Sequence, residues 1–466
     1  MDIRQKPEAR LAALGTAIPE ILLPRPGIDL EKWAVIACDQ FTQDRDFWAR
    51  VKKNAAGSPS ALNFILPEIY LEDGDRLERI RRIHETMDAY IAESIFAPAF
   101  KGCVYVERAT PFHACRKGLL LAIDLDAYDW KAGLHPFIRA TEETVPERLP
   151  PRVEIRRGAA LESPHIILLI DDREDALIPA LERRAKQAAP LYETPLMMGG
   201  GAVSGWSLDT EDGWALLADG LEALARMSTV RYGVPEPFLY AAGDGNHSLA
   251  AAKAAWDEYR AAHYGEPGLA VNPARWALVE VENLYDPGIT FEPIHRLLLG
   301  AAAGETLKTL SALPDFSSRP VAGREELIRL VGDPCAPQSR LGLVSGTGNF
   351  LIETSAPPVI TESLQPMLDG FVRSHSSGQG LSIDYIHGDD ELFRLASAPL
   401  TAGADSAELP SPVRSGLLLP PVKKSGLFEA AARSGPLPRK SFSMGEGIEK
   451  RCYLECRGLF GQDKTA

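Results

Sequence analysis

Several kinds of protein are excluded by what this sequence lacks. No run reaches the roughly 18 apolar residues that a membrane span requires. The N-terminal stretch Met1 to Arg10 carries no apolar core of a secretory signal, so a cytoplasmic protein is expected. Cysteine is scarce: six in 466 residues. Only Cys452 and Cys456 stand close together, with no second pair and no ordered histidine cluster to complete a zinc site. Reduced thiols are the expected state. Positive charge is in deficit, 50 Lys and Arg against 64 Asp and Glu, for a formal net charge of -14. Nonspecific nucleic-acid binding rests on neutralising phosphates, so this balance argues against DNA as a partner. It leaves room for a local basic cleft around a small phosphorylated ligand. Asp124, Asp126 and Asp129 fall together without the glycine and terminal glutamate of a calcium loop, and read as a strand end. No internal repeat is visible.

What is present is a globular composition, 45% hydrophobic, in a chain long enough for two or three domains. Runs of helical period alternate irregularly with short apolar runs, which predicts an α+β fold of mixed sheets with flanking helices. Trp33 to Cys38 reads as a buried strand that delivers Asp39 and Gln40 to a crevice at its carboxyl end. Asp75 to Phe96 reads as a helix with His84 on its charged side. Cys103 to Val106 and Gly118 to Asp124 read as a hairpin. Ser163-Pro164-His165 leads into a strand over Ile166 to Ile170, and Thr401 to Pro412 reads as an acidic, small-residue loop. The expected organisation is an N-terminal lobe over 1–130, a core over 131–300 and a C-terminal region over 301–466.

The chain is organised around Phe238 to Lys253. An apolar run breaks at Gly243-Asp244-Gly245-Asn246-His247-Ser248 and passes into a helix marked by Leu249, Ala252, Trp256, Tyr259 and His263. Gly243 and Gly245 permit positive φ, and Asp244 or Asn246 suits an N-cap. Strand, glycine turn and helix start together present free N–H groups and a positive dipole end, which favour an anion. Lys253 is expected to lean back toward that end. A second concentration lies between Arg139 and Arg152, where three arginines (Arg139, Arg148, Arg152) and three glutamates (Glu142, Glu143, Glu147) alternate with three prolines. The prolines predict a loop or short turns rather than one helix. Arginine forks suit phosphate, and Glu142 or Glu143 suits a general base.

Four motifs in this order, Gly243 to Ser248, Asp286-Pro287-Gly288 with His295-Arg296, Asp384-Tyr385-Ile386-His387-Gly388 and Pro438-Arg439-Lys440-Ser441, give the chain a resemblance. It resembles the uncharacterised family called domain of unknown function one thousand and fifteen, over nearly its whole length. That family is often labelled ParB-like, because many members carry Asp-Gly-His-His-Arg at the place of Asp244 to Ser248. The motif is similar to the phosphate-gripping turn of the ParB/sulfiredoxin superfamily, which includes CTP-binding partition proteins, ATP-using sulfiredoxin and free-serine kinases. Asp244, Gly245 and His247 match the motif. Asn246 replaces its first histidine and Ser248 its arginine, so Arg139, Arg148 or Lys440 would supply the missing charge. The sulfiredoxin cysteine is absent.

The resemblance implies a ParB/sulfiredoxin-like central region and a nucleotide-dependent small-molecule phosphotransferase, of which a free-serine kinase acting on a hydroxy amino acid is the most concrete version. ATP or another nucleotide with Mg²⁺ would be the cofactor, with Asp244 the foremost metal ligand. Gly243, Gly245, Asn246, Ser248, Lys253, Arg139, Arg148, Arg152, His295, Arg296, His387 and Lys440 would bind it, and Asp244, His247 and Glu142 or Glu143 would serve the chemistry. Two alternatives remain: a nucleotide-binding switch akin to partition proteins, for which no basic recognition helix is found, and a metal-dependent hydrolase using His247, His295 and His387.

Overall fold

In a computed structural model the described residues are 6–131, 134, 136–357, 359–375, 381–397 and 413–459. The loop expected over Thr401 to Pro412 lies outside them. The chain forms two compact units. The first comprises Met1–Ile289, Ala431–Pro436 and Gly445–Ala466, the second Thr290–Ala430 and Leu437–Met444. Both are of mixed α+β content, as the alternating patterns predict.

The first unit is built on a ten-stranded sheet. Its strands are β1 (Thr16–Ala17), β2 (Cys103–Ala109), β3 (Arg116–Asp124), β4 (Tyr128–Asp129), β5 (Ile138–Ala140), β6 (Ile167–Ile170), β7 (Tyr192–Pro195), β8 (Ala202–Leu208), β9 (Tyr240–Asp244) and β10 (Trp276–Asn283). They run in the order β7-β8-β2-β3-β10-β6-β9-β5-β4, with β1 added beside β3. The expected hairpin is there as β2 and β3. Beyond it the sheet turns mixed: β6 is parallel to β10 and antiparallel to β9, and β9 is parallel to β5. This mixture positions the site. Because β9 and β5 are parallel, with Ala242 beside Ala140, their continuations Asp244 and Glu142 leave the sheet at one edge. Because β6 is antiparallel to β9, with Ile167 beside Asp244, the residues that enter β6 arrive at that same edge.

The helices of this unit include α1 (Arg76–Ala92), α2 (Leu149–Arg156), α3 (Leu177–Ala185), α4 (Glu211–Tyr232) and α5 (Asn246–Ala262). Two large apolar clusters form the core. One holds Trp33, Phe47, Trp48, Val104 and Leu120, the other Leu168, Leu217, Leu249, Trp256 and Val279. Helix α5 follows the expected period and buries Leu249, Ala252 and Trp256. A small third cluster, Leu149 and Val153 against Ala250, Ala251 and Ala255, seats α2 on α5; the alanines allow the two backbones a close approach.

Two readings need correction. The prolines of the Arg139–Arg152 stretch do not keep it free of helix: Pro150 and Pro151 sit in the first turn of α2, where a missing N–H costs nothing, and the helix carries Arg152. The expected strand over Trp33 to Cys38 is shorter. Asp29 caps a helical turn over Leu30–Trp33, and only Val35–Ile36 pairs as a strand, with Cys452–Tyr453 from far along the chain.

The second unit is an antiparallel sheet of β11 (Phe291–Leu299), β12 (Ser317–Val321), β13 (Ser339–Ser345), β14 (Gly348–Thr354), β15 (Ser382–His387), β16 (Arg414–Leu418) and β17 (Phe442–Met444). The order is β12-β14-β13-β16-β11-β15, with β17 on the first residues of β11. Alternate residues of one strand feed separate clusters: Leu298 joins Leu341, Leu343 and Leu364, whereas Leu297 joins Leu327, Val344 and Leu392.

Candidate functional site

The turn after β9 begins one residue later than its sequence suggests. Gly243 is a strand residue inside β9; Gly245 alone of the pair takes positive φ, +78°, and stands at the N-cap of α5. A side chain there would be strained, and its Cβ would meet the Ile166 backbone at 3.1 Å. Neither Asp244 nor Asn246 caps the helix. Asp244 Oδ1 accepts from the Gly245 N–H (3.1 Å), and no side chain caps α5. The first N–H groups of a 17-residue helix therefore carry no side-chain cap at the edge where the strands end.

Charged and polar side chains surround that point. Lys450 Nζ lies 3.2 Å from Asp244 Oδ2, both largely buried. Burial raises the Asp244 pKa above the ordinary carboxylate value and the nearby Asp39 carboxylate adds to the rise, against Lys450 and His165. His247 Nε2 accepts the Val145 N–H (3.3 Å) and Thr141 Oγ1 donates to the Ala242 carbonyl (2.5 Å), which tie the loop bearing Glu142 and Glu143 to the turn. Glu142 is half-buried and Glu143 exposed. Ser248 Oγ is 2.8 Å from His165 Nε2, and His165 Nδ1 is 2.9 Å from the Tyr453 hydroxyl.

A cavity of about 140 Å³ opens beside this cluster. Its polar lining includes Cys38, Glu68, Arg152, His165, Ser248 and Tyr453, together with Arg156, Glu162 and Ser163, and its apolar wall includes Phe64, Leu66, Met87 and Leu161. Arg152, on α2, donates from Nε to Glu68 Oε1 (2.9 Å) and from Nη1 to the Arg148 carbonyl (2.5 Å). Burial pushes the Glu68 pKa up against the pull of Arg152, and burial keeps the Cys38 thiol well above its ordinary range.

The same unit holds a buried ionic layer. Glu280 and Glu282 project from one side of β10, and Arg116 pairs with Glu282 at 2.9 Å. Arg451 binds both Glu280 and Glu455, and Glu455 also accepts from the Tyr192 hydroxyl. The Glu280 carboxylate fills the space over Gly118, where a Cβ would stand 2.1 Å from Oε1, so any side chain there would displace the carboxylate. Burial, with Glu280 and Asp286 adding repulsion, pushes Glu282 up to about 8 despite Arg116.

The structure thus gathers Asp244, Gly245, Asn246, His247, Ser248, Glu142 and Arg152. Other predicted residues stand elsewhere. Lys253 does not lean back to the turn: it pairs with Asp257 (2.9 Å) and Asp126 (3.6 Å) toward the other end of α5, where the helix and the 124–129 turn supply carboxylates. Arg139 is buried over the Phe238 ring at 4.5 Å with Nε donating to the Pro136 carbonyl, and burial lowers it to about 10. Arg148 is exposed. His295, Arg296, His387 and Lys440 belong to the second unit. There His295 bridges Asp389 Oδ1 (2.8 Å) and the Leu419 N–H (3.1 Å), Arg296 donates to Gln365 (2.7 Å) over Tyr385, His387 ends β15, and Lys440 sits exposed at φ +60°. Among the described residues no group of three or more His, Cys, Asp or Glu is placed to hold a metal ion.

Sequence reasoning gave no role to Lys450, Tyr453, His165 and Glu68. The one local sign was the run Arg451, Tyr453, Glu455, Arg457, polar side chains at every second position between apolar ones. All four are buried.

Among solved structures, the chain is similar to a conserved hypothetical protein from Pyrococcus furiosus at 10% identity, over 72% of this chain and 93% of that one, with a TM-score of 0.34. It is similar to a free serine kinase in complex with AMP at 11% identity, over 72% and 90% of the two chains, TM-score 0.36. A third is SbnI with a C-terminal truncation, from Staphylococcus aureus, at 11% identity over 74% and 83%, TM-score 0.31. No curated protein matches. No helix among the described residues is long and apolar enough to cross a membrane. The sequence profile of the family described as "Protein of unknown function (DUF1015)" matches residues 22–370, three quarters of the chain, and the protein belongs to that family.

Proposed function

We propose that the chain is a nucleotide-dependent small-molecule phosphotransferase whose phosphates sit at the start of α5, in the manner of a ParB/sulfiredoxin-type turn. The observation that carries this reading is the uncapped N-terminus of α5, set two residues past a buried carboxylate that is paired with Lys450. First-turn N–H groups and the dipole end of a helix attract phosphate oxygens. Lys450 and Arg152 take the place of the cations expected from Lys253 and Arg139, and His247, fixed by the Val145 N–H, orients a phosphate.

Asp244, with Asp39 near it, would be the ligand for a divalent cation. Burial, and then the Asp39 charge, raise the Asp244 pKa, a cost that a bound cation relieves. Mg²⁺ held there with the nucleotide would neutralise phosphate charge. Glu142, sheltered at the same sheet edge, is the base for an acceptor hydroxyl in preference to the exposed Glu143. The acceptor would enter the cavity beside Ser248; a hydroxy amino acid is the first to test.

A thermal-shift series with ATP, ADP, CTP and GTP, with and without Mg²⁺, tests the reading. A ligand at 100 times its Kd stabilises the folded state by about 2.7 kcal/mol. One nucleotide should raise the melting temperature, and His247→Ala should remove most of that rise while melting normally alone. No rise with any nucleotide sinks the proposal.

A further inference from the structure

A continuous hydrogen-bonded chain leads from α5 into the cavity wall. Ser248 Oγ meets His165 Nε2 at 2.8 Å, and His165 Nδ1 meets the Tyr453 hydroxyl at 2.9 Å. Tyr453 donates to Cys38 Sγ at 3.0 Å and accepts the Cys38 N–H at 3.3 Å. The direction of this chain matters. A phenol has one proton; with that proton donated to the sulfur, His165 Nδ1 supplies the proton of its own bond to Tyr453. That assignment leaves Nε2 as the acceptor facing Ser248.

A hydroxyl bonded to an accepting ring nitrogen, with the opposite nitrogen held by a third group, is the arrangement that activates a serine. Simple satisfaction of half-buried polar groups accounts for the bonds but not for their setting. All four side chains line the cavity. Ser248 is the third residue of a helix that no side chain caps, so oxygens gathering charge beside Oγ would face the N–H groups of its first turn.

We propose that Ser248 is a covalent nucleophile that carries the phosphoryl group between donor and acceptor, with His165 as its base. The assignment rests on the phosphotransferase reading. Ser248 Oγ attacks the terminal phosphorus of the nucleotide. The Oγ–P bond forms, the bond from phosphorus to the bridging oxygen breaks, the nucleoside diphosphate leaves with that oxygen, and the hydroxyl proton passes to His165 Nε2. In the second half the acceptor oxygen attacks phosphorus and the Oγ–P bond breaks. Ser248 recovers its proton from His165, while the acceptor proton passes to Glu142. Tyr453 is a positioning residue, acting through the ring.

The test uses the full chain without an acceptor. Protein is incubated with Mg²⁺ and ATP, CTP or GTP, acid-quenched over time, and analysed by intact mass and peptide mapping. A parallel arm uses diisopropyl fluorophosphate, a phosphoryl donor that needs no nucleotide site. The expected result is one phosphate on Ser248, none in Ser248→Ala, and a rate lowered roughly 100-fold or more in His165→Ala. Added imidazole should restore part of that rate, which a purely structural histidine would not allow. A nucleotide that raises the melting temperature yet leaves Ser248 unmodified overturns the inference and leaves direct transfer standing. If no nucleotide binds, the phosphotransferase reading falls, and the fluorophosphate decides alone: an adduct at Ser248 upholds the nucleophile, and its absence removes it.

Discussion

The two units solve the problem of a sheet interior in different ways. In the second, the sheet feeds two apolar clusters, and Arg296 is the one buried acidic or basic side chain besides His295 among the described residues. In the first, Arg108, Arg116, Arg139, Arg451, Arg457, Glu162, Glu280, Glu282, Glu449 and Glu455 are all buried. Apolar residues of similar volume would often do as well or better for stability alone. A sheet that keeps so many charges inside gains something other than stability. Here the ionic layer is linked to the candidate site: Arg451 grips Glu280 while its chain neighbours Lys450 and Tyr453 reach Asp244 and His165. The layer fixes the segment that completes the site.

The sharpest way to break this contrast is Arg451→Ala. It leaves Glu280 and Glu455 buried without their cation and should cost about 3–5 kcal/mol, read by denaturant unfolding. A loss below about 1 kcal/mol would mean the layer is solvated and the contrast is one of composition only. A smaller effect follows from Glu282. Below about pH 4.5 its carboxyl is protonated in both folded and unfolded chains. Between about 4.5 and 8 the unfolded chain releases that proton and the folded chain keeps it. Stability contributed by this group therefore falls as pH rises through that window, by at most about 1.4 kcal/mol per pH unit. Glu282→Gln should remove that fall, so the wild-type-minus-variant difference in unfolding free energy slopes downward with pH; a flat difference would refute the shift. The smallest effect is expected from Lys253→Ala. Its partly exposed pair with Asp257 should cost no more than about 1 kcal/mol, and nucleotide-induced stabilisation should be unchanged, because Lys253 faces away from the turn.

Legibility followed range. Helix α5 was readable because its apolar face repeats at three and four residues, and the turn because glycines break an apolar run. Helix α2 was misread because Pro150 and Pro151 act as breakers in a helix interior and as good first-turn residues, and the local sequence does not say which. Lys253 was misplaced because side-chain direction on a helix yields to whichever carboxylate is near. The residues that complete the site were invisible for a different reason. Lys450, Tyr453 and His165 meet the turn through strand pairing between distant segments, and such pairing leaves no periodic mark on either one.

That distance has a consequence in time. Cys38 and Tyr453 are 415 positions apart. At a synthesis rate of about 5–20 residues per second, Val35–Ile36 leaves the ribosome roughly 20 to 80 seconds before Cys452–Tyr453 arrives to pair with it. Through that interval the nascent chain has its glycine turn but neither Lys450 nor Tyr453, and the edge of Val35–Ile36 lacks its strand partner. The candidate site is thus among the last parts of the fold to be completed, and a chain stalled before residue 450 would hold Ser248 and His165 without the Lys450 and Tyr453 that pair with Asp244 and His165.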